Sequence, residues 1–275
     1  ERRRWNGKLV SIHVSGVTGG HSGVEIQKQG ANANVVLGRV LYELKKKADF
    51  TVVSVDGGLK DNAITRSARA ILMFAPGQED LFMDILKEQQ GIIEKEYHKT
   101  DAGMSIEGFL ELSKEDAESV DGVLPMTDVC GNAVITALRT FPWGVQKMSK
   151  DMEGLVQTSL NPGILETKAD TVSLVFSVRS SVASEKEELY DRLVCLTESL
   201  GGKVSRSGDY PAWEYVEDSK LRTLMGDTYR EMYKKEPVME VIHAGVECGL
   251  FSEKMPGLDC VSYGPDIFDI HTPQE

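Results

Sequence analysis

The sequence predicts an α+β fold in which helices cover one face of an antiparallel sheet. Residues 8–17 alternate between apolar and polar side chains, as expected for a strand with one buried face. Within residues 31–47, Leu37, Leu41 and Leu44 recur at helical spacing and predict an amphipathic helix. Further strand and helix patterns follow in an order that keeps the helices on one side of the sheet.

The first half of the fold, about residues 5–112, is predicted as a ferredoxin-like β-α-β-β-α-β unit. Its third strand alternates apolar side chains on one face, and its second helix is long and amphipathic. The predicted strands are residues 8–17, 50–56, 63–75 and 104–112, and the predicted helices are 31–47 and 78–98.

A second αβ extension is predicted over about residues 123–213, after a polar and acidic connection at 113–122. We expect this extension to continue the first sheet, so that residues 1–213 form one domain with two halves. Its predicted elements are a helix at 128–140, a hairpin at 154–168 turning at Asn161-Pro162-Gly163, a strand at 171–179, a helix opened by a capping box of Ser184 and Glu187, and a closing strand at 203–210.

Residues 214–275 have the pattern of part of an α/β domain. A predicted helix at 219–234 leads to a continuous apolar strand at 238–243, which is typical of a buried parallel sheet. A loop, a short helix and a second buried strand at 259–263 follow, and a loop carries His271. Ligands bind beyond the carboxyl ends of such strands, so this region is a candidate site.

Composition excludes several classes of function. The net charge of −12 argues against binding to nucleic acid, because phosphate recognition needs clustered Lys and Arg. No apolar stretch is long enough to predict a membrane span. The four cysteines form no CxxC pair, which favours free thiols in a reducing, cytoplasmic compartment. Because the chain begins without Met and stops after an ordered-looking segment, we expect a piece of a longer protein.

Three polar residues stand at places where ligands bind, but each also has a plain structural interpretation. His21 lies in a Gly-rich loop directly after a strand, where the backbone can approach a ligand or simply turn. Glu247 stands between a strand end and a helix start, where the helix dipole favours any carboxylate. His271 follows a buried strand and has the chemistry of a metal ligand or a general base.

Other polar residues are weaker candidates from spacing alone. Asn62 lies in a turn and Arg179 ends a strand, so backbone bonding and a surface ion pair are the simpler interpretations. His13 and His98 fall within a strand and a helix, and we expect both to be structural. The GxSxG, HExxH and GxxxxGK[ST] motifs do not occur in the sequence.

Several short motifs occur in a fixed order along the chain. They are GVTGGHSG at 16–23, ANAN at 31–34, GG at 57–58 before Asn62, HAGVECG at 243–249, and SYGP at 262–265 before HTP at 271–273. Together they resemble the Xaa-His dipeptidases, or cytosolic non-specific dipeptidases, in the carnosinase and glutamate-carboxypeptidase clan of zinc peptidases. The resemblance covers essentially the whole sequence.

The resemblance implies that the chain contributes to two domains with different roles. Residues 1–213 correspond to an enlarged lid and residues 214–275 to the last part of a catalytic domain that binds two zinc ions. It further implies that a homodimer can form through the lid. It assigns His271 as a zinc ligand, His21 as the oxyanion donor, and Asn62, Arg179, Glu247 and Gly249 to the dipeptide site, with Arg179 on the substrate carboxylate and Glu247 on its amine.

The sequence also departs from the family pattern. The family needs an upstream His-x-Asp, a bridging Asp, a catalytic Glu-Glu pair and a further acidic ligand, and no His-x-Asp occurs here. Glu187-Glu188 falls on a solvated helix face instead. We therefore expect this chain alone to be inactive and its zinc sites to be incomplete. The alternatives left open are a stand-alone ferredoxin-like module for amino-acid binding or dimerisation, and a relative that kept the fold without the metals.

Overall fold

Seven strands form a single sheet that runs through both αβ halves of the chain. The computed structural model describes residues 1–239 and 247–264. The strands of this sheet are β1 (Lys8–Ser15), β3 (Phe50–Gly57), β5 (Ala68–Phe74), β6 (Ser105–Phe109), β7 (Gly144–Met148), β8 (Val156–Thr167) and β9 (Val172–Ser180), and a separate two-stranded ribbon pairs β2 (Gly20–His21) with β4 (Ala63–Ile64). The order is β6-β1-β5-β3-β8-β7, with β9 on the other edge of β8.

Helices cover this sheet and extend beyond it. They are α1 (Ala33–Lys47), α2 (Glu79–Tyr97), α3 (Lys114–Ser119), α4 (Asp128–Thr140), α5 (Ala183–Ser199), α6 (Lys220–Tyr233) and α7 (Glu247–Lys254). None of the helices in the described ranges has the length and apolar character that crossing a membrane requires.

The first half has the predicted β-α-β-β-α-β order of main elements, β1-α1-β3-β5-α2-β6. Its four strands pair antiparallel in the order β6-β1-β5-β3. The predicted strand at 63–75 is divided into β4 and β5, because residues 65–67 leave the ladder. Helices α1 and α2 share one core with the sheet, in which Ile12, Leu37, Leu72 and Phe82 are fully buried.

The opposite face of the first half is covered by α3, in the segment predicted to be only a connection. Val120, at the end of α3, packs on Val53 and Ile71 in a second apolar cluster. Asp116 on α3 is buried and accepts hydrogen bonds from the sheet, at 3.0 Å from His13 Nε2 and 3.1 Å from Arg69 Nη1. The acidic segment is therefore structural, since Asp116 holds α3 to the sheet through its hydrogen bonds to His13 and Arg69.

The second half extends the same sheet, as predicted. Strand β8 meets β3 at one paired position, Gly57 opposite Leu165. Helix α4 packs on α1, where Gly38 lies so close to Leu138 that a Cβ at Gly38 would come within 2.6 Å of the Leu138 side chain. Glycine therefore permits the close contact of these two helices.

The predicted hairpin at 154–168 is wrong. β8 is continuous from Val156 to Thr167 and pairs with β9 along its length. The register shifts between Pro162 and Ile164, so the Asn161-Pro162-Gly163 sequence forms a bulge and not a turn. Proline lacks an N–H donor and is accommodated at such irregular positions in strands.

The predicted capping box is also wrong. Helix α5 begins after Val182, and no side chain caps its first turn. Ser184 lies inside the helix, and Glu187 binds Arg206 at 2.8 Å instead of reaching back to the helix start. Helix α5 ends at Ser199, and Gly201, just after the C-cap residue Leu200, adopts the left-handed φ of +76° that glycine favours.

Two predicted strands near the end of the described chain are absent. Residues 203–210 form no strand, since Arg206 and the Tyr210 carbonyl are bound to side chains of α5. Residues 259–263 form none either, because Asp259 accepts hydrogen bonds from Ser219 Oγ at 2.6 Å and Leu221 N at 2.8 Å at the start of α6. Most of the strand predicted at 238–243 lies outside the described residues.

Candidate functional site

His21 is held in a tight loop that only glycine can form. Gly19 and Gly20, directly before it, have φ of +73° and +124°. His21 pairs with Ala63 in the short β2–β4 ribbon, and its Nδ1 accepts a hydrogen bond from Gly23 N at 3.2 Å. A ring whose Nδ1 accepts carries its proton on Nε2, so Nε2 is a donor. The His21 side chain is exposed.

Asn62 occupies the turn that faces the His21 loop. Its carbonyl accepts a hydrogen bond from Ser22 N at 2.8 Å, and its own N–H donates to Asp61 Oδ1 at 2.8 Å. The Asn62 side chain is exposed. The turn and the loop are therefore tied together by backbone hydrogen bonds, and each presents a polar side chain.

Arg179 reaches the same place from another part of the fold. It pairs with Ser159 in the β8–β9 ladder. A Cβ built on Gly23 would lie 3.0 Å from His21 Cε1 and 3.4 Å from Arg179 Cζ, so Gly23 separates the two side chains. The structure thus brings His21, Asn62 and Arg179 together, from positions far apart in the sequence.

The environment of Arg179 is unusual for a cation. Burial lowers its pKa from the ordinary value, and the carboxylate of Asp61 offsets part of that effect. Its Nε is buried and has no hydrogen-bond partner within the described residues. A buried donor without an acceptor is costly, and guanidinium groups bind carboxylates as charge-assisted partners.

Asn62 and Arg179 lie at an open cleft of about 860 Å³. Its walls are β9, α5 and residues 202–213, and Asp61, Asn62 and Arg179 contribute to the lining. Two other cations of the lining are already paired, since Lys186 lies 2.7 Å from Asp209 and Arg206 binds both Glu187 and Asp209. Arg179 therefore differs from them in its capacity to bind an anion.

The structure places the two predicted residues of the C-terminal region differently. Gly249 is buried against the cleft wall, where a Cβ would approach the Pro211 carbonyl oxygen to 2.7 Å. Glu247 is exposed at the first residue of α7. Its predicted role remains a prediction.

The predicted metal ligand His271, like His243, lies outside the described residues. Within residues 1–239 and 247–264, no three His, Cys, Asp or Glu side chains converge as a metal site. The described part of the chain does not by itself supply a zinc site. His13 and His98 both have structural contacts, with Asp116 and with the Lys95 carbonyl.

One residue of this region was missed by the sequence analysis. Asn161 is only 2% exposed and donates hydrogen bonds to the carbonyls of Asp61 and Ala63, on either side of Asn62. The hairpin prediction places it in a turn instead. A proline and a glycine within an otherwise apolar strand pattern were the available signal, because they mark bulges as well as turns.

Comparison with known proteins supports the resemblance found in the sequence. Residues 8–101 match the model of a peptidase dimerisation domain. The chain is 31% identical over 268 residues to the cytosol non-specific dipeptidase of Escherichia coli, covering 98% of this chain and 54% of that protein. The crystal structure of aminoacylhistidine dipeptidase from Vibrio alginolyticus superimposes with a TM-score of 0.89 at 29% identity, covering 96% of this chain and 53% of that one. The chain spans about half the length of both relatives.

Proposed function

Because this chain is a relative of the cytosol non-specific and aminoacylhistidine dipeptidases over nearly its whole length, we propose that it supplies the substrate-binding lid of a zinc dipeptidase. Residues 1–213 are the lid, whose first half is ferredoxin-like, and residues 214–275 belong to the catalytic domain. The substrates are unblocked dipeptides, including Xaa-His, and the compartment is the cytoplasm. His271 is a zinc ligand in this proposal, together with residues that this chain does not contain.

The observation that carries the proposal is the site at Arg179. A partly buried guanidinium with an unsatisfied Nε lies across Gly23 from the His21 ring. A dipeptide has a carboxylate at one end and a peptide carbonyl a few ångströms away. Arg179 binds the first as a charge-assisted partner, and His21 Nε2 donates to the second as its oxygen gains negative charge.

The remaining proposed contacts define the length of the substrate. Asn62 contributes a side-chain amide beside His21, and Glu247 binds the free amine at the other end. Gly249 keeps α7 close to Pro211, where any side chain would push the helix away. A cation site and an anion site at a fixed separation select dipeptides over longer peptides.

The test is substrate kinetics on a full-length dipeptidase that contains this chain. Arg179→Met removes a charge-assisted hydrogen bond of ~1.5–3 kcal/mol, so KM for a dipeptide rises about 10- to 150-fold. The same dipeptide with a C-terminal amide has no carboxylate to lose, and its kinetics stay nearly unchanged. Arg192→Met, on the exposed face of α5, is the matched control. Equal effects on both substrates would contradict the role of Arg179.

A second pair of variants separates substrate binding from metal binding. Glu247→Gln raises KM by a similar factor and leaves zinc content intact, whereas His271→Ala lowers zinc content directly. Kinetics and metal analysis on both proteins, side by side, decide the assignment. Loss of zinc from Glu247→Gln would overturn it. The isolated chain, supplied with zinc, hydrolyses no dipeptide.

The match to a peptidase dimerisation domain over residues 8–101 supports a second role for the lid. We propose that the whole protein forms a homodimer through this domain. Sedimentation of the full-length protein tests it, and a monomer at micromolar concentration would argue against it. If dimers form but no dipeptide is hydrolysed, a non-catalytic dimerisation module becomes the better description.

A further inference from the structure

Asn161 has an amide whose hydrogen-bonding groups are all used. Its Nδ2 donates to the carbonyl of Asp61 at 3.0 Å and to the carbonyl of Ala63 at 2.9 Å. Its Oδ1 accepts from Asn32 Nδ2 at 3.1 Å. An amide has two N–H donors, so no donor remains, and rotating the group by 180° would set its oxygen against two carbonyls. The orientation of the side chain is therefore fixed.

Asn32, which donates to Asn161, belongs to the start of helix α1. Asn32 caps α1, because its Oδ1 accepts from Asn34 N at 3.0 Å. The Asn32 amide also donates to the Pro162 carbonyl at 3.2 Å, and Asn34 Nδ2 donates to the same oxygen at 3.1 Å. The bulge in β8 is thus attached to the first turn of α1, and Asn161 projects from that bulge toward the Asn62 turn.

The backbones of the β8 bulge and of the Asn62 turn are in close contact. A Cβ at Gly163 would collide with the backbone of Asp61, and a Cβ at Gly58 would collide with the Gly163 carbonyl oxygen. Gly58 also has φ of +77°, a conformation that favours glycine. The two carbonyls that Asn161 binds are therefore held at one distance from β8.

Three of the proposed substrate contacts, Asn62, His21 and Arg179, depend on this connection. Asn62 lies between the two carbonyls that Asn161 binds. The His21 loop is attached to this turn by the hydrogen bond from Ser22 N to the Asn62 carbonyl. Arg179 lies on β9 opposite Ser159, two residues before Asn161 on β8. Asn161 therefore links the strand pair carrying Arg179 to the loops carrying Asn62 and His21, beside the hydroxyl of Thr65, which donates to the carbonyls of Pro162 and Gly163.

We propose that Asn161 is a positioning residue that sets the spacing between the carboxylate-binding arginine and the oxyanion-donating histidine. The role rests on the proposed dipeptidase function. Asn161 touches no substrate and acts through the backbone of residues 61–63. Correct geometry of reacting and binding groups contributes strongly to rate, and a misplacement of about 1 Å reduces turnover by roughly 100-fold.

Asn161→Asp is the sharpest test, because it changes two donors into an acceptor at constant shape. The carboxylate repels the carbonyls of Asp61 and Ala63, and the turn moves away from β8. In the full-length dipeptidase, kcat for a dipeptide falls roughly 10- to 100-fold, whereas zinc content is unchanged. Thr51→Val is the control, since it removes a buried hydrogen bond from the Thr51 hydroxyl to the Met126 carbonyl, outside the site. Its kcat stays within about twofold of wild type.

A second measurement follows the loop itself in the full chain. Amide hydrogen exchange at Ser22, whose N–H binds the Asn62 carbonyl, becomes faster in Asn161→Asp than the loss of global stability explains. In Thr51→Val it changes only with global stability. If Asn161→Asp does not fold, Asn32→Ser replaces it, because serine keeps the capping oxygen of α1 and loses the donor to Asn161.

The two measurements separate this proposal from the proposed function. If the wild-type protein hydrolyses no dipeptide, the proposed function fails, and the exchange rate at Ser22 alone decides whether Asn161 positions the loop. Unchanged exchange at Ser22 in Asn161→Asp overturns the proposal. An active enzyme whose kcat is unaffected by Asn161→Asp overturns it as well.

Discussion

The first αβ half and the C-terminal region differ in how far their apolar side chains are buried. In residues 8–112, large side chains such as Ile12, Leu41, Leu72 and Phe82 are 0% exposed. In the described part of residues 214–264, no hydrophobic side chain is buried. Large ones are exposed there instead, among them Leu224 at 61%, Met232 at 66% and Phe251 at 54%.

This difference indicates where the stability of the chain resides. Burial of apolar area is the main favourable term in folding, and residues 8–112 contain the core that provides it. Helix α6 presents exposed apolar side chains together with charged ones, a pattern that marks a surface suited to contact with another protein surface. The first region contains a buried core of its own, whereas the described C-terminal region leaves its large apolar side chains exposed.

The largest expected effect tests the core of the first region. Phe82→Ala on α2 removes a fully buried aromatic side chain, and the free energy of unfolding falls by ~3–5 kcal/mol. Ile92→Ala, on the same helix but 38% exposed, costs about 1 kcal/mol or less. Chemical denaturation of both variants checks the pair. Equal losses would mean that α2 is not anchored as described.

A smaller effect is expected on the opposite face of the same sheet. Asp116→Asn weakens the bonds to His13 and Arg69 that hold α3, at a cost of ~1–3 kcal/mol. Glu115→Gln is the control, because its side chain is 87% exposed and lies 3.6 Å from Arg69. Denaturation midpoints compare the two. An unchanged denaturation midpoint in Asp116→Asn would show that these bonds to α3 do not stabilise the fold.

A pH-dependent effect of about 1 kcal/mol is expected in the second half, at Glu185. Burial raises the pKa of this carboxyl, but hydrogen bonds from Thr158, Gln157 and Lys147 outweigh it, so the net pKa is lowered. A group with a lowered folded pKa stabilises the fold above its unfolded pKa of about 4.3 and loses that contribution as the pH falls through the folded value.

The measurement for Glu185 is the unfolding free energy of wild type and Glu185→Gln between pH 7 and pH 3. The difference in unfolding free energy between the two proteins has its full value above about pH 5 and becomes smaller below about pH 4. Glu188→Gln, with its side chain 57% exposed on the same helix, serves as control. A difference that grows toward acid pH would contradict the assigned direction.

The smallest effect is expected in the C-terminal region. The double variant Leu224→Ser with Met232→Ser removes two exposed apolar side chains from α6, so the free energy of unfolding of this chain changes by about 0.5 kcal/mol or less. Binding of a hydrophobic dye decreases, because the exposed apolar surface is smaller. A loss as large as that of Phe82→Ala would show that α6 belongs to a core.

The same two regions explain how much of the fold the sequence could predict. The order of elements in residues 8–112 follows from periodicity, because each strand and helix has one clearly apolar face. The bulge at Pro162 could not be read in this way, since Asn-Pro-Gly is a turn signal and its outcome depends on pairing with β9. Residues 259–263 have a strand composition, but Asp259 binds the start of α6.

The candidate site was predictable only through the resemblance. From spacing alone, His21 and Asn62 also have plain structural interpretations, and Arg179 resembles an ordinary surface residue. The convergence of His21 and Arg179 beside Gly23 depends on the register of the β8–β9 ladder and on the β2–β4 ribbon, neither of which has a local signal. Asn161 was missed for the same reason, since its partners lie about a hundred residues away in the chain.

The junction of β3 and β8 has a kinetic consequence. At and around this junction, the contacts of β8 with the first half join residues 97 to 129 positions apart, from Thr65 with Pro162 to Asn32 with Asn161. Closing so long a loop costs entropy that local contacts do not, and such contacts form late in folding. The first half precedes this junction in the chain and has its own core, so it can fold while the second half is still being synthesised. The cleft beside Arg179 is then completed last, after the rest of the sheet exists.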